Sequence, residues 1–274
     1  MRARSHWRKP WTLPGTDSHA SDARASDSAG QPWAGRHFSA NTSATDDGTV
    51  TPALAVALQA FHDGHGGPEA VVDAFRDARL LVPLVSHLAE AGVDEHGRRV
   101  DKKQELAIVT VAGPEGRNVL PVFSCVATMS AWNPKARPVP QNGARVALGA
   151  ASEQTELVVL DPGSDTEFVL RRPALWALAQ GQQWIPSYSD AAVRDAFTTS
   201  IERELAVHAV ELTAGDPGYR LSAPELVVHL QLAAGLSEQE LDVVMARLAA
   251  RWAADDAIAT RVDSLTVRLT TAPD

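Results

Sequence analysis

From Thr51 onward the apolar residues keep switching between two periods, and that switching constrains the fold more than any other property of the chain. Leu226, Val228, Leu230 and Leu232 occupy every second position, with Val227, His229 and Gln231 between them. A period of two sends one set of side chains to one face of a strand. Shortly after, Leu241, Val244, Met245, Leu248 and Trp252 recur at helical spacing, behind Ser237 and Glu240 in the positions of a capping box. Short strand-like runs interleaved with helical stripes point to an α+β protein in which helices flank mixed sheet.

The same alternation reads along the earlier part of the chain. Thr51 and Pro52 form an N-cap and first-turn pair ahead of Leu54, Ala57, Leu58 and Phe61, which share one helical face. Gly64, Gly66 and Gly67 break that helix, and Pro68 opens a second one with Val71, Val72, Phe75 and Ala78 on one side. The run from Leu80 to Val85 is strand-like, with Pro83 expected to force an edge or end position because it donates no ladder hydrogen bond. A charged loop, Asp94 to Lys103, precedes the strand Glu105–Val111. Gly113 to Gly116 then turns the chain into Val119–Phe123, which predicts a hairpin. Val126–Trp132 is a short helix stopped by Pro134, and another helix lies around Gly143–Ala151. Glu156–Leu160 and Phe168–Leu170, joined by a turn from Asp161 to Asp165, form a second hairpin. A helix from Pro173 ends at Gly181, a residue suited to a left-handed cap. These elements predict a sheet of about five strands with helices gathered on one face or end.

Trp184 to Tyr188 reads as a linker, and Asp190 begins a helix through Val193 and Phe197. Strands within Ile201–Leu212, Glu225–Leu232 and Val262–Leu269, with the long helix and a short one near Asp255–Thr260, complete a small α+β unit. Residues 1–50 are rich in Ser, Thr, Asp, Gly and Ala with no sustained period, so they read as a disordered tail carrying a local Trp33–Phe38 cluster. The expected organisation is a tail (1–50), an α+β domain (51–187) and a small second α+β domain (188–274).

Charge and cysteine content narrow the function classes. Residues 188–274 carry seven basic against fourteen acidic residues, so that part repels a phosphate backbone and nucleic acid is not expected there. A nucleic-acid role through the basic residues Arg2, Arg4, Arg8 and Lys9 requires strongly salt-sensitive binding by residues 1–11. Those residues lack an apolar stretch behind them, so they do not read as a signal peptide. No run approaches the ~18 apolar residues of a membrane-spanning helix. Cys125 stands alone, which removes intramolecular disulfides and thiolate-pair metal motifs and fits a reducing, cytoplasmic setting.

Few residues are grouped as catalytic chemistry demands. The phosphate-cradling glycine loops, the nucleophile elbow and the paired-histidine metalloprotease helix are absent. His62, Asp63 and His65 offer nitrogen and oxygen ligands, but in a glycine-rich connection where such residues more often end helices. No metal or other cofactor is expected. Ser124 and Cys125 sit between a strand and a helix, where backbone N–H groups bind anions or acidify a thiol, although a lone cysteine is more often a small buried apolar residue. Trp132-Asn133-Pro134 and Trp184-Ile185-Pro186 place aromatics beside prolines in loops, an arrangement that suits peptide binding as well as core packing. His208 and His229 read as solvated strand residues, and Arg171-Arg172 as a solvated pair leading into a helix. The candidate binding surface is therefore Phe123, Ser124, Cys125, Trp132 and Trp184, with no catalytic residue assigned.

The series Leu80-Leu81-Val82-Pro83-Leu84, Val119-Leu120-Pro121-Val122-Phe123-Ser124, Ala131-Trp132, Leu157-Val158-Val159-Leu160-Asp161-Pro162 and Phe168-Val169-Leu170 resembles the SseB N-terminal domain, as found in actinobacterial members. The resemblance spans about residues 51–187, and the Val207–Leu269 region looks like a divergent partner domain. Where the family often has Phe-Thr-Ser, this chain has Phe123-Ser124-Cys125. The family name refers to enhanced serine sensitivity and brings no established catalytic residues. The expectation is a non-catalytic protein that binds a protein partner or regulates metabolism. The alternative is a small-molecule binder or enzyme acting near Phe123–Trp132.

Overall fold

The computed structural model describes residues 46–87, 105–108, 110–113, 116–153 and 155–271. The expected disordered tail, apart from residues 46–50, lies outside the described residues, as do the Trp33–Phe38 cluster and the charged loop at 94–103.

Two helices open the described chain, α1 (Pro52–His62) and α2 (Pro68–Asp77), and they pack against each other as their apolar stripes require. Thr51 stands at the N-cap of α1, but its hydroxyl makes no capping bond and instead accepts the Arg79 N–H at 3.2 Å. Next come β1 (Arg79–His87), β2 (Glu105–Ile108), β3 (Val111–Ala112), β4 (Asn118–Val122), α3 (Val126–Trp132), β5 (Arg137–Asn142) and α4 (Gly143–Ser152). The segment is completed by β6 (Leu157–Leu160), β7 (Phe168–Arg171) and α5 (Arg172–Ala179).

These strands form two sheets where one was expected: β2-β1-β5, all antiparallel, and β3-β4-β6-β7, which is mixed. The expected Glu105–Val111 strand is divided between them. Its first part pairs with β1, and only Val111 and Ala112 pair with β4, so the predicted hairpin survives as a two-residue contact. The β6–β7 hairpin forms as expected, while β6 also lies parallel to β4.

Pro83 does not occupy an edge or an end; it lies inside the central strand of its sheet. Leu81 exchanges both backbone hydrogen bonds with Phe123, at 2.8 and 2.9 Å, so its polar groups face away from β5. Alternation along an antiparallel strand points the Pro83 nitrogen the same way, into the interval between Phe123 and the end of β2, where Ile108 pairs with Leu84. Opposite it, Pro138 and Pro140 pair with Pro83 and Leu81 in positions that exchange no hydrogen bonds, so their nitrogens face the outer side of β5. Strand β5 follows no apolar alternation, and its prolines disguise an edge strand as a loop.

The first core gathers Leu54, Leu58, Val71, Phe75, Leu80, Val122, Leu160, Phe168, Leu170 and Leu175 from both helices and strands. The close approach of α2 and α4 depends on Gly143, where a Cβ would lie 1.8 Å from the Phe75 carbonyl oxygen. Gly181 adopts φ 68° just after α5, as its capping role requires.

The remaining elements are α6 (Ala191–Ile201), β8 (Val207–Ala214), β9 (Leu226–Leu232), α7 (Glu238–Ala254), α8 (Asp256–Arg261) and β10 (Leu265–Thr271). Strand β9 is central, antiparallel to β8 and parallel to β10. Leu226, Val228, Leu230 and Leu232 are buried with Val193, Phe197, Val244, Leu248 and Trp252 in a second core. Ser237 and Glu240 form the reciprocal capping box that their spacing implies. Residues Asp46–Asp274 belong to one compact unit, and Tyr219, from the β8–β9 connection, is buried in the first core, stacked on Phe168 with ring centroids 4.9 Å apart.

Candidate functional site

The fully buried Phe123 follows the end of β4, and the chain turns through Ser124 and Cys125 into α3. Phe123 packs against Trp132, with ring centroids 5.3 Å apart, and shares a small cluster with Leu81 and Met129. Behind the turn lies Asp161, which is 0% exposed and held at φ 49° where β6 ends. Its Oδ1 accepts the Ser124 N–H at 2.8 Å and the Thr128 hydroxyl at 2.7 Å. Its Oδ2 accepts the Ser124 hydroxyl at 2.6 Å and the Thr166 hydroxyl at 3.1 Å. Among the described residues no cation pairs with this carboxylate, so four neutral donors take the place of its hydration.

That arrangement commits the polar groups of the corner to one another. Ser124 gives its proton to Asp161, and no histidine among the described residues hydrogen-bonds to Ser124, Cys125 or Asp161. Cys125 is half-buried, and its Sγ lies 3.5 Å from the Thr128 hydroxyl. Phe123, Ser124, Cys125 and Trp132 therefore meet at this corner. Trp184 does not join them. It is buried in the first core, edge-on to Tyr219 with centroids 6.1 Å apart.

Trp184 also lines a groove of about 410 Å³ between α5, the connection after it and α8. Trp176 is 38% exposed there and Ile185 is 50% exposed. Gln180, Gln182 and Gln183 supply neutral amides, and the Arg261–Asp190 ion pair, at 2.8 Å, stands at one wall. The indole N–H of Trp184 is buried without a hydrogen-bond partner among the described residues. Arg172 lies over the Trp176 ring, 5.1 Å from its centroid, in cation–π geometry.

Arg171 is not the solvated residue that its sequence position suggests. It is 4% exposed and donates to Asp216 at 2.7 Å, Asp263 at 3.2 Å, the Ser264 hydroxyl at 3.2 Å and the Ala223 carbonyl at 2.9 Å. Arg117 reaches the same Asp263 at 3.0 Å. Arg172 is half-buried and donates to the carbonyls of Ala259 and Val262. Burial works to raise the Asp216 carboxyl, but hydrogen bonds from Ser222 and Arg171 outweigh it and hold the group below its ordinary value. Glu225, which accepts the Asp263 N–H at 2.7 Å, is pushed upward by burial. No local pattern announces this network, because Arg171 and Asp263 are 92 residues apart.

Four of the histidines, His62, His65, His208 and His229, take minor parts. His62 and His65 are exposed around the α1–α2 connection, where Asp63 accepts from Gln59 at 2.8 Å. His208 is exposed, whereas His229 is half-buried and lies 2.8 Å from the Thr213 hydroxyl. Among the described residues, no group of three or more His, Cys, Asp or Glu is placed to hold a metal ion.

A family model described as the SseB protein N-terminal domain matches residues 54–177. The match runs from α1 into α5, so it takes in the Ser124–Asp161 corner and Trp176 but not Trp184. No curated protein and no solved structure matches the chain.

Proposed function

We propose that the chain is a cytoplasmic, non-catalytic member of the SseB family, of actinobacterial type, that acts by binding another protein and thereby regulating it. The small domain at 188–274 assists by walling one side of the binding groove. The observation that carries this reading is the α5–α8 groove, where Trp176 and Ile185 are exposed beside the buried Trp184. Aromatic and apolar side chains alternating with amides suit an extended polypeptide. Rings cover its apolar side chains, and glutamines satisfy its backbone groups.

Recovery of partners from a native lysate tests the proposal. The wild-type protein should retain a stoichiometric partner, and Trp176→Ala or Ile185→Asp should weaken that interaction by roughly thirtyfold, the effect of losing a central anchor. Absence of a stoichiometric partner, or equal retention by both variants, would count decisively against it. The other reading, a small-molecule site near Phe123–Trp132, has only the half-buried Cys125 in its favour. A ligand that raises the melting temperature of the wild type but not of Cys125→Ser would revive it.

A further inference from the structure

A second surface differs from the α5–α8 groove in both chemistry and place. The turn at 202–206, between α6 and β8, lies against the outer side of α7, and together they form a groove of about 690 Å³. Leu205 is 96% exposed at its rim and Val243 is 48% exposed beside it. Leu236 and Ala206 extend the apolar strip.

The charges around this strip run against those of the region that carries it. Arg203, Arg247 and Arg251 line the groove, and these are three of only seven basic residues in 188–274, which has fourteen acidic ones. The buried Glu204 carboxylate is gripped by both Arg247 and Arg251, each at 2.7 Å, so one negative charge faces two positive charges. Arg203 forms no ion pair among the described residues. The Glu240 carboxylate turns back to the Ser237 N–H and hydroxyl at 2.9 and 2.7 Å. An exposed apolar strip is thus edged by arginines that local acids do not fully neutralise.

We propose that this groove receives an acidic segment of a partner protein, with a large apolar side chain seated against Leu205 and Val243. A second copy of the chain meeting groove to groove would set arginines against arginines, which disfavours a two-fold dimer through this face. Nucleic acid is disfavoured because the strip is apolar and a phosphate backbone would run past its three arginines onto the remainder of 188–274, which has four basic residues against fourteen acidic ones in the whole region.

Selection from a random peptide library displayed on phage, against the full chain, tests the idea, with affinities of enriched peptides measured by fluorescence anisotropy. Enriched peptides should combine Asp or Glu with Leu, Ile or Phe, and should bind less tightly as salt rises. Leu205→Asp and Arg203→Glu should each weaken binding at least tenfold with the melting temperature unchanged, whereas Trp176→Ala should leave it intact. No enrichment, enrichment of basic peptides, or insensitivity to both groove variants would overturn the proposal. So would loss of binding in Trp176→Ala, which would place the peptide in the other groove. Self-association in analytical ultracentrifugation that Leu205→Asp abolishes would also overturn it, by making a second copy the occupant.

Discussion

At Asp161 the backbone and the side chain make opposing demands. The positive φ is unfavourable for most residues and best tolerated by Gly, Asn and Asp, while the buried carboxylate is needed to accept four hydrogen bonds. Asparagine keeps the backbone preference and one acceptor oxygen but turns an amide NH₂ toward hydroxyls that are already donating. Alanine loses both. Urea denaturation should therefore show Asp161→Asn costing about 2 kcal/mol and Asp161→Ala about 3 kcal/mol or more, because buried donors are left without acceptors. Equal stability of Asp161→Ala and wild type would mean that the corner is not held by this carboxylate. Ser124 belongs to the same unit, so its hydroxyl serves to anchor the β4–α3 turn.

Between elements, the closest constraint is the meeting of α2 and α4. With a Cβ at Gly143 lying 1.8 Å from the Phe75 carbonyl oxygen, Gly143→Ala must move a helix backbone. A loss of about 2 kcal/mol or more in chemical denaturation is expected, whereas an alanine at the unobstructed helical Gly149 should stabilise by about 0.5–1 kcal/mol. The prolines act at this scale too. Pro83, Pro138 and Pro140 stand where β1 and β5 require no N–H, so a residue type that usually excludes a strand instead leaves one edge unable to recruit another chain.

Across the whole molecule, buried acids give stability two opposite dependences on pH. Asp216 is held below its usual 3.8 and Glu204 below its usual 4.5, the latter first by the Arg247 hydrogen bond. The stabilisation from both is present above those values and is lost as pH falls through the lowered folded-state values. Glu225 runs the other way. Its folded-state value lies above the usual 4.5, so its favourable contribution is complete below 4.5 and disappears as pH rises through the folded-state value. Glu225→Gln retains an acceptor for the Asp263 N–H and has no charge to bury. Its stability relative to wild type should increase between pH 4.5 and pH 7.5 in urea titrations; a difference independent of pH would refute the assignment.

Sequence alone determined the features whose causes lie within a few residues. The helix starts at Pro52 and Pro68, the Ser237–Glu240 capping box, the left-handed cap at Gly181, the β6–β7 hairpin and the buried face of β9 were all legible, since local sterics and periodicity decide them. Of the candidate surface, Phe123, Ser124, Cys125 and Trp132 were legible as neighbours because one strand end and one short helix carry them all. Tertiary structure decided what depends on distant partners. It divided the expected strand between two sheets, set Pro83 in a central strand, and drew Trp184 away from the corner to Tyr219. It also buried Asp161 against Ser124, 37 residues earlier, and Arg171 against Asp216 and Asp263, 45 and 92 residues later. The physical reason is that periodicity shows which face of an element avoids water, whereas the partner of a buried charge or an unpaired strand edge is chosen only when the whole chain packs.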